Sequence, residues 1–252
     1  RLTAIAALGQ LPASQLEPLC EKLFALVADD DECWNAALSA LSAVGTATKS
    51  RHLAGLLAKL LPKREIRRAS TIMLQCGPRA VADHIEKLLP LCDGPKVEAQ
   101  VVGSVLHLLS TESCASAATV ALAAPKVLKL LQHPEWHVRS QAVSVLGRLR
   151  GAPLKRHLPS VLRLFSPSVE EDEVPRANAV RVLAVADQAT RRQYAPRIAD
   201  MLTDIDSYVR SSAAQTLAKL TPEALREYAP KLITAMRGVA GSWEVAVYVQ
   251  AL

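Results

Sequence analysis

Side chains able to do chemistry are scattered along this sequence rather than gathered. The 252 residues hold six histidines (His52, His84, His107, His133, His137, His157) and five cysteines (Cys20, Cys33, Cys76, Cys92, Cys114). No two cysteines form a Cys-x-x-Cys pair, and none has a histidine at zinc-ligand spacing, so the usual sulfur and nitrogen sets for zinc are missing. The sequence contains no HExxH pair, nucleophile elbow, Walker loop or dinucleotide fingerprint. Carboxylates crowd only in two acidic runs, DDDE at 29–32 and EEDE at 170–173, where like charges read as solvated loops or helix faces rather than as an acid–base pair. The expectation is a chain with no catalytic residue, no cofactor and no metal, its odd number of cysteines being buried thiols. Thiol usage favours a reducing compartment, with the cytoplasm as the default and an organelle still open.

What must position the remaining polar groups is a set of helices. Half the residues are apolar and only 4% aromatic, with ten glycines. Such a chain, rich in Ala and Leu, suits closely packed helices. The longest weakly polar stretch, SCASAATVALAA at 113–124, is too short to cross a bilayer and is followed by Pro125 and Lys126. The formal charge of +6, with seven basic residues between Lys49 and Arg68, permits an acidic partner, nucleic acid included, without requiring one.

The opening segment RLTAIAALGQL matches RSQAVSVLGRL at 139–149 in its Arg, Ala, Leu, Gly and closing Leu. Following the Ala of this pattern gives Ala4, Ala37, Ser70, Val101, Ala142, Ala179, Ala213 and Val247, spaced by 31 to 41 residues. Four residues on, one helical turn, stand Leu8, Leu41, Leu74, Val105, Leu146, Leu183, Leu217 and Ala251. A small residue lets two helix backbones approach, and the larger one fills the space a turn later. Before each such helix lies another amphipathic stretch: 15–27, 51–61, 81–91, 125–131, 154–165, 191–202 and 224–236. Short polar turns, DDDE, PKRE, CDGPK, QHPEW, SPSVEEDE, TDIDS and RGVAGS, separate the two and should align along one edge.

A hairpin of about 35 residues cannot bury both its helices alone, so successive units must stack on a continuous core. The expected fold is all-α, a right-handed solenoid of stacked antiparallel hairpins. It comprises a leading second helix at 1–11 and hairpins at about 12–45, 49–77, 78–109, 117–150, 153–187, 190–220 and 222–252. Residues 1–252 are read as one array and as a segment of a longer chain, with flanking repeats or a partner covering both ends.

The segments LLQHPEWHVRSQAVSVLGRL (130–149) and MLTDIDSYVRSSAAQTLAKL (201–220) resemble HEAT repeats, whose second helix opens Val-Arg-x-x-Ala after an Asp-containing turn. The resemblance covers essentially the whole chain. It is close at Val138/Arg139 and Val209/Arg210, looser at Ile66/Arg67 and Arg176, and faint at Val97/Glu98 and Trp243/Glu244. The period is shorter than the family's usual one. The tetratricopeptide and ankyrin patterns are absent. The resemblance implies that Arg1, Arg67, Arg139, Arg176 and Arg210 form a ladder bonded to turn acids of their own or a neighbouring unit. Asp204 or Asp206 would serve Arg210, and Glu135 or a neighbour's acid would serve Arg139.

Several HEAT-like proteins act chemically, and the sequence departs from each. The paired His-Glu dipeptides of the di-iron hydroxylases are missing, since no histidine is followed by Glu. Trp34, Trp136 and Trp243 lie about three units apart, too far to form the cage of a HEAT-like DNA glycosylase, and no residue set marks a bilin site. A tubulin-binding TOG array would use Trp34, Lys63, Arg64 and Trp136 on the turn edge, although DDDE opposes an acidic partner there.

In HEAT arrays the second helices line the concave face. Residues out of phase with the Ala/Leu columns should point into it: Ser39, Ser42, Arg68, Thr71, Gln75, Gln141, Ser144, Arg148, Arg181, Gln215 and Lys219. Arg68, Gln75, Arg148, Arg181, Gln215 and Lys219 are the candidate partner contacts. The functional expectation is a non-catalytic scaffold binding protein partners in a larger assembly. The alternatives are RNA or other nucleic acid on a weakly basic concave face, and TOG-like tubulin binding.

Overall fold

The computed structural model describes residues 2–62, 65–93, 98–237 and 242–251. Arg1, Lys63, Arg64, the Val97 step and the side chain of Trp243 lie outside the described residues. Every regular element described is helical. Contacts group the chain into two compact units, 1–119 and 120–252.

In the first unit, α1 (Leu2–Leu8) precedes α2 (Ala13–Leu16), α3 (Cys20–Asp29), α4 (Trp34–Ser42), α5 (Thr46–Leu60), α6 (Ile66–Cys76), α7 (Pro78–Leu88) and α8 (Ala99–Ser110). Second helices pack in chain order, α1 on α4, α4 on α6 and α6 on α8, while α3 packs on α5. The second unit is built from α9 (Ala117–Lys129), α10 (Trp136–Leu146), α11 (Gly151–Leu162), α12 (Glu173–Ala184), α13 (Gln188–Asp200), α14 (Ser207–Leu217), α15 (Pro222–Leu225), α16 (Ala229–Arg237) and α17 (Ser242–Ala251). Here α12 lies between α10 and α14, and α17 packs on α14. Each unit is a stack of helical hairpins, the α-solenoid architecture.

The core is the Ala/Leu column. Ala37, Ala142, Ala179 and Ala213 are fully buried, as are Leu41, Leu146, Leu183 and Leu217 one turn on. Burying a Leu side chain contributes about 1.5–3 kcal/mol, so one column supplies much of the favourable term of each interface. The column shifts in three helices: Ala4 is exposed and Ile5 is buried instead, Leu74 is half-buried beside a fully buried Met73, and Val247 is half-buried beside a fully buried Tyr248.

A second column belongs to the first helices. Pro18, Gly55, Pro90, Pro125, Pro159, Pro196 and Pro230 recur every 34 to 37 residues, and all seven are exposed. Pro125, Pro159 and Pro196 sit inside their helices, whereas Pro18 and Pro90 open a short 3-10 turn. Proline removes an N–H and displaces a carbonyl one turn back. On a solvent-facing side that carbonyl takes water instead, and the helix bends. Pro125 therefore does not begin its helix, as the apolar pattern of 125–131 suggests; α9 starts eight residues earlier, at Ala117.

Both acidic runs are structural rather than merely solvated. Asp30 Oδ1 accepts from the backbone N–H groups of Glu32 and Cys33 at 3.0 and 2.9 Å, and Asp29 pairs with Lys59 at 3.1 Å. In the other run Glu170 is 1% exposed. Caps close other helices: Asp187 accepts from Thr190 N at the start of α13, and Asp206 from Tyr208 N at the start of α14.

Candidate functional site

Three turns of the second unit are tied together by arginines in one repeating geometry. The Nη1 of Arg139 donates to the carbonyls of His133 and Pro134 at 2.8 and 2.7 Å. That of Arg176 donates to Glu170 and Glu171, and that of Arg210 to Asp204 and Ile205, six and five residues back in each case. The opposite edge of the guanidinium reaches the next turn. Arg139 Nε and Nη2 grip Glu170 at 2.6 and 2.7 Å, and Nη2 also meets Asp172 at 2.7 Å. Arg176 Nε and Nη2 grip Asp204 at 3.3 and 3.0 Å.

This arrangement uses arginine's planar fork, which satisfies two turn carbonyls and one carboxylate together. Glu170 beside Arg139 holds that guanidinium above its already high pKa, in spite of partial burial. The Asp204 carboxylate is thus engaged by Arg176 of the preceding unit, and Arg210 meets the Asp204 carbonyl. The buried carboxylates also order their own turns, Glu170 accepting from Asp172 N at 3.2 Å and Asp204 from Asp206 N at 2.9 Å.

In the first unit the arrangement changes by one residue and reverses direction. Arg67 is exposed, while Arg68, expected on the open face, is 7% exposed. Arg68 bonds to Asp31 at 2.5 Å and to the Val27 carbonyl at 3.4 Å, with Glu65 at 3.5 Å. The turn ahead, CDGPK, holds one acid, whereas the DDDE run behind holds four, so the electrostatic pull is backwards. Arg67 and Arg68 both lie over the Trp34 ring, 5.8 and 5.3 Å from its centre. That half-buried indole therefore carries two of the protein's own cations against its ring. Gln75, also expected on the open face, is half-buried and donates to the Leu38 carbonyl of the preceding second helix at 3.2 Å.

The remaining expected contacts lie on the outer face of α10, α12 and α14. Arg181, Gln215 and Lys219 are exposed, and Arg148 is half-buried. Arg148 and Arg181 line one hollow of about 250 Å³ with Ser144, Gly147, Asn178, Val182 and Val185. Arg181 also reaches the next helix, where Nη1 donates to Tyr208 Oη at 2.6 Å and the guanidinium carbon lies 4.8 Å from the ring centre. Asn178 donates to Ser140 Oγ at 2.8 Å, joining α12 to α10. Turn spacing in the sequence marks Arg139, Arg176 and Arg210; nothing in it distinguishes Arg68 from Arg67 or pairs Arg181 with Tyr208.

All five cysteines are buried and none forms a disulfide. Burial pushes the Cys76 thiol up to about 11 and raises Cys20 as well, so both are protonated and poorly nucleophilic near neutrality. Lys49, buried close to both thiols, has its pKa lowered by desolvation. Among the described residues no group of three or more His, Cys, Asp or Glu could hold a metal ion. Among the described residues, too, no helix is long and apolar enough to cross a membrane.

A family model described as HEAT repeat matches residues 123–149, the second half of α9 together with α10. No curated protein matches the chain. Similar solved structures include a designed armadillo repeat protein, 14% identical over 100% of this chain and 98% of that one, with a TM-score of 0.49. Another designed armadillo repeat protein, in complex with the peptide (KR)4, is 15% identical over 92% of this chain and 97% of that one, with a TM-score of 0.44. An engineered protein is 17% identical over 92% of this chain and 94% of its own, with a TM-score of 0.43.

Proposed function

We propose that this chain, an α-solenoid in which a HEAT-repeat family model matches residues 123–149, is a non-catalytic scaffold that holds protein partners in a larger assembly. The observation that carries the reading is a division of labour in the second unit. The charges on the turn edge that Arg139 and Arg176 reach are spent on the protein's own turns, while the outer face of α10, α12 and α14 keeps polar and basic side chains exposed. A face of rigid helices without activated nucleophiles or a metal cluster suits recognition by shape and charge.

The test places a photo-crosslinking residue at Ser144 or Gln215, both exposed, in the full chain and illuminates it in native extract with and without nuclease treatment. Discrete protein adducts from these positions, with none from an equivalent residue on the first helices, support the scaffold. Adducts that are nucleic acid, or none from either position, would overturn it. The net charge of +6 keeps nucleic acid as the rival outcome.

A further inference from the structure

The helices that form the outer face are free of carboxylates beyond their first turns. Residues 136–150, 174–186 and 207–222 contain no Asp or Glu, yet hold seven arginines and lysines. Three of these, Arg139, Arg176 and Arg210, are turned to the loop edge. Of the other four, Arg150 donates to the Gly147 and Leu149 carbonyls and Arg148 is half-buried, while Arg181 and Lys219 are exposed.

Arg181 is the best prepared of them. Its Nη1 is held by the Tyr208 hydroxyl and its plane lies near the Tyr208 ring. Among the described residues its Nε and Nη2 make no hydrogen bond, so the edge of the fork that receives a carboxylate in two parallel bonds is open. Beside it, the hollow shared with Arg148 has Val182 and Val185 in its wall, room for an apolar side chain next to the charge. A guanidinium already held in place loses little freedom on binding, so more of the interaction is kept as affinity.

Resting on the scaffold reading, we infer that the face formed by α10, α12 and α14 binds an extended acidic polypeptide segment, with Arg181 anchoring a central carboxylate and the exposed Lys219 meeting a further acid. Nucleic acid fits the same face less well. Four cations over three repeats neutralise few phosphates, and affinity for a phosphate backbone rises with their number. Single-stranded bases need open aromatic faces to stack on, and Arg181 lies over the Tyr208 ring.

The experiment titrates the full chain against a fluorescein-labelled peptide of three Glu-Leu-Glu-Ser units, read by anisotropy at low and moderate salt. Peptide (KR)4 and an oligothymidylate serve as competing probes. The acidic peptide is expected to bind and to weaken with salt. Arg181→Glu and Lys219→Glu should each lower its affinity about tenfold, and Arg181→Lys, which keeps charge but not the fork, should lower it less. Circular dichroism confirms that the variants remain folded. Three results would each overturn the inference: no preference for the acidic over the basic peptide, an affinity indifferent to both reversals, or tighter oligothymidylate binding through the same residues. Should protein adducts form at Ser144 and Gln215 while the acidic peptide fails, the partner chemistry falls and the scaffold stands. Absence of both removes the two together.

Discussion

Arg176 is 2% exposed, and the Asp204 carboxylate it grips is shielded from water as well. Truncating one partner of such a pair leaves the other charge buried and alone, at a cost of about 3–5 kcal/mol. Arg176→Ala is therefore expected to lower the urea midpoint far more than Lys231→Ala, whose pair with Asp200 is over half exposed on both sides. Equal effects would mean that the ladder contributes little. Asp187 gives a pH signature. Its hydrogen bonds to Lys155 and to Thr190 hold its carboxyl down at about 2. A carboxylate depressed in the folded state stabilises above its unfolded pKa of about 3.9, and that contribution disappears as pH falls through the folded value. The stability difference between parent and Asp187→Ala should be constant above about pH 5 and shrink as pH falls through 4 towards 2. A difference that grows on acidification would contradict the assignment.

At the scale of elements, α6 and α7 meet at one residue, Gly77, with φ 82° and ψ −175°. A side chain there strains the backbone although open space surrounds the position, with no atom within 4 Å of where an added methyl carbon would sit. Gly77→Ala should cost about 1–3 kcal/mol from backbone conformation alone, measured by thermal unfolding. An unchanged midpoint would show that the turn can relax. How much was legible differs between elements for physical reasons. The second helices announce themselves because a small residue and a large one recur a turn apart on a buried face. The first helices are also periodic, in exposed prolines, but proline is ordinarily read as a helix end. Only a solvent-facing carbonyl makes it tolerable in mid-helix, which is why α9 extends so far ahead of Pro125.

For the molecule as a whole, stability in stacked repeats is a sum over units and nearest-neighbour interfaces. Ala142 is fully buried on α10. Ala142→Asp places an unpaired charge there, and the penalty should fall on the adjoining helices first. Hydrogen exchange is expected to accelerate in α10 and α12 before it does in α3 to α6. Uniform acceleration in both units would imply a single cooperative block instead.

By itself the sequence determined the helical class, the register of the hairpins and the arginine steps at Arg139, Arg176 and Arg210, because these follow from local periodicity and from turn composition. It also carried the charge separation between acidic turns and the basic stretches that follow them. Only the tertiary structure decided that Arg68 turns inward while Arg67 stays out, that both lie near the Trp34 ring, and that Arg181 is held by Tyr208. Those outcomes depend on which residue of a neighbouring repeat lies within reach, a distance set by packing across about one repeat of intervening chain and written in no local pattern.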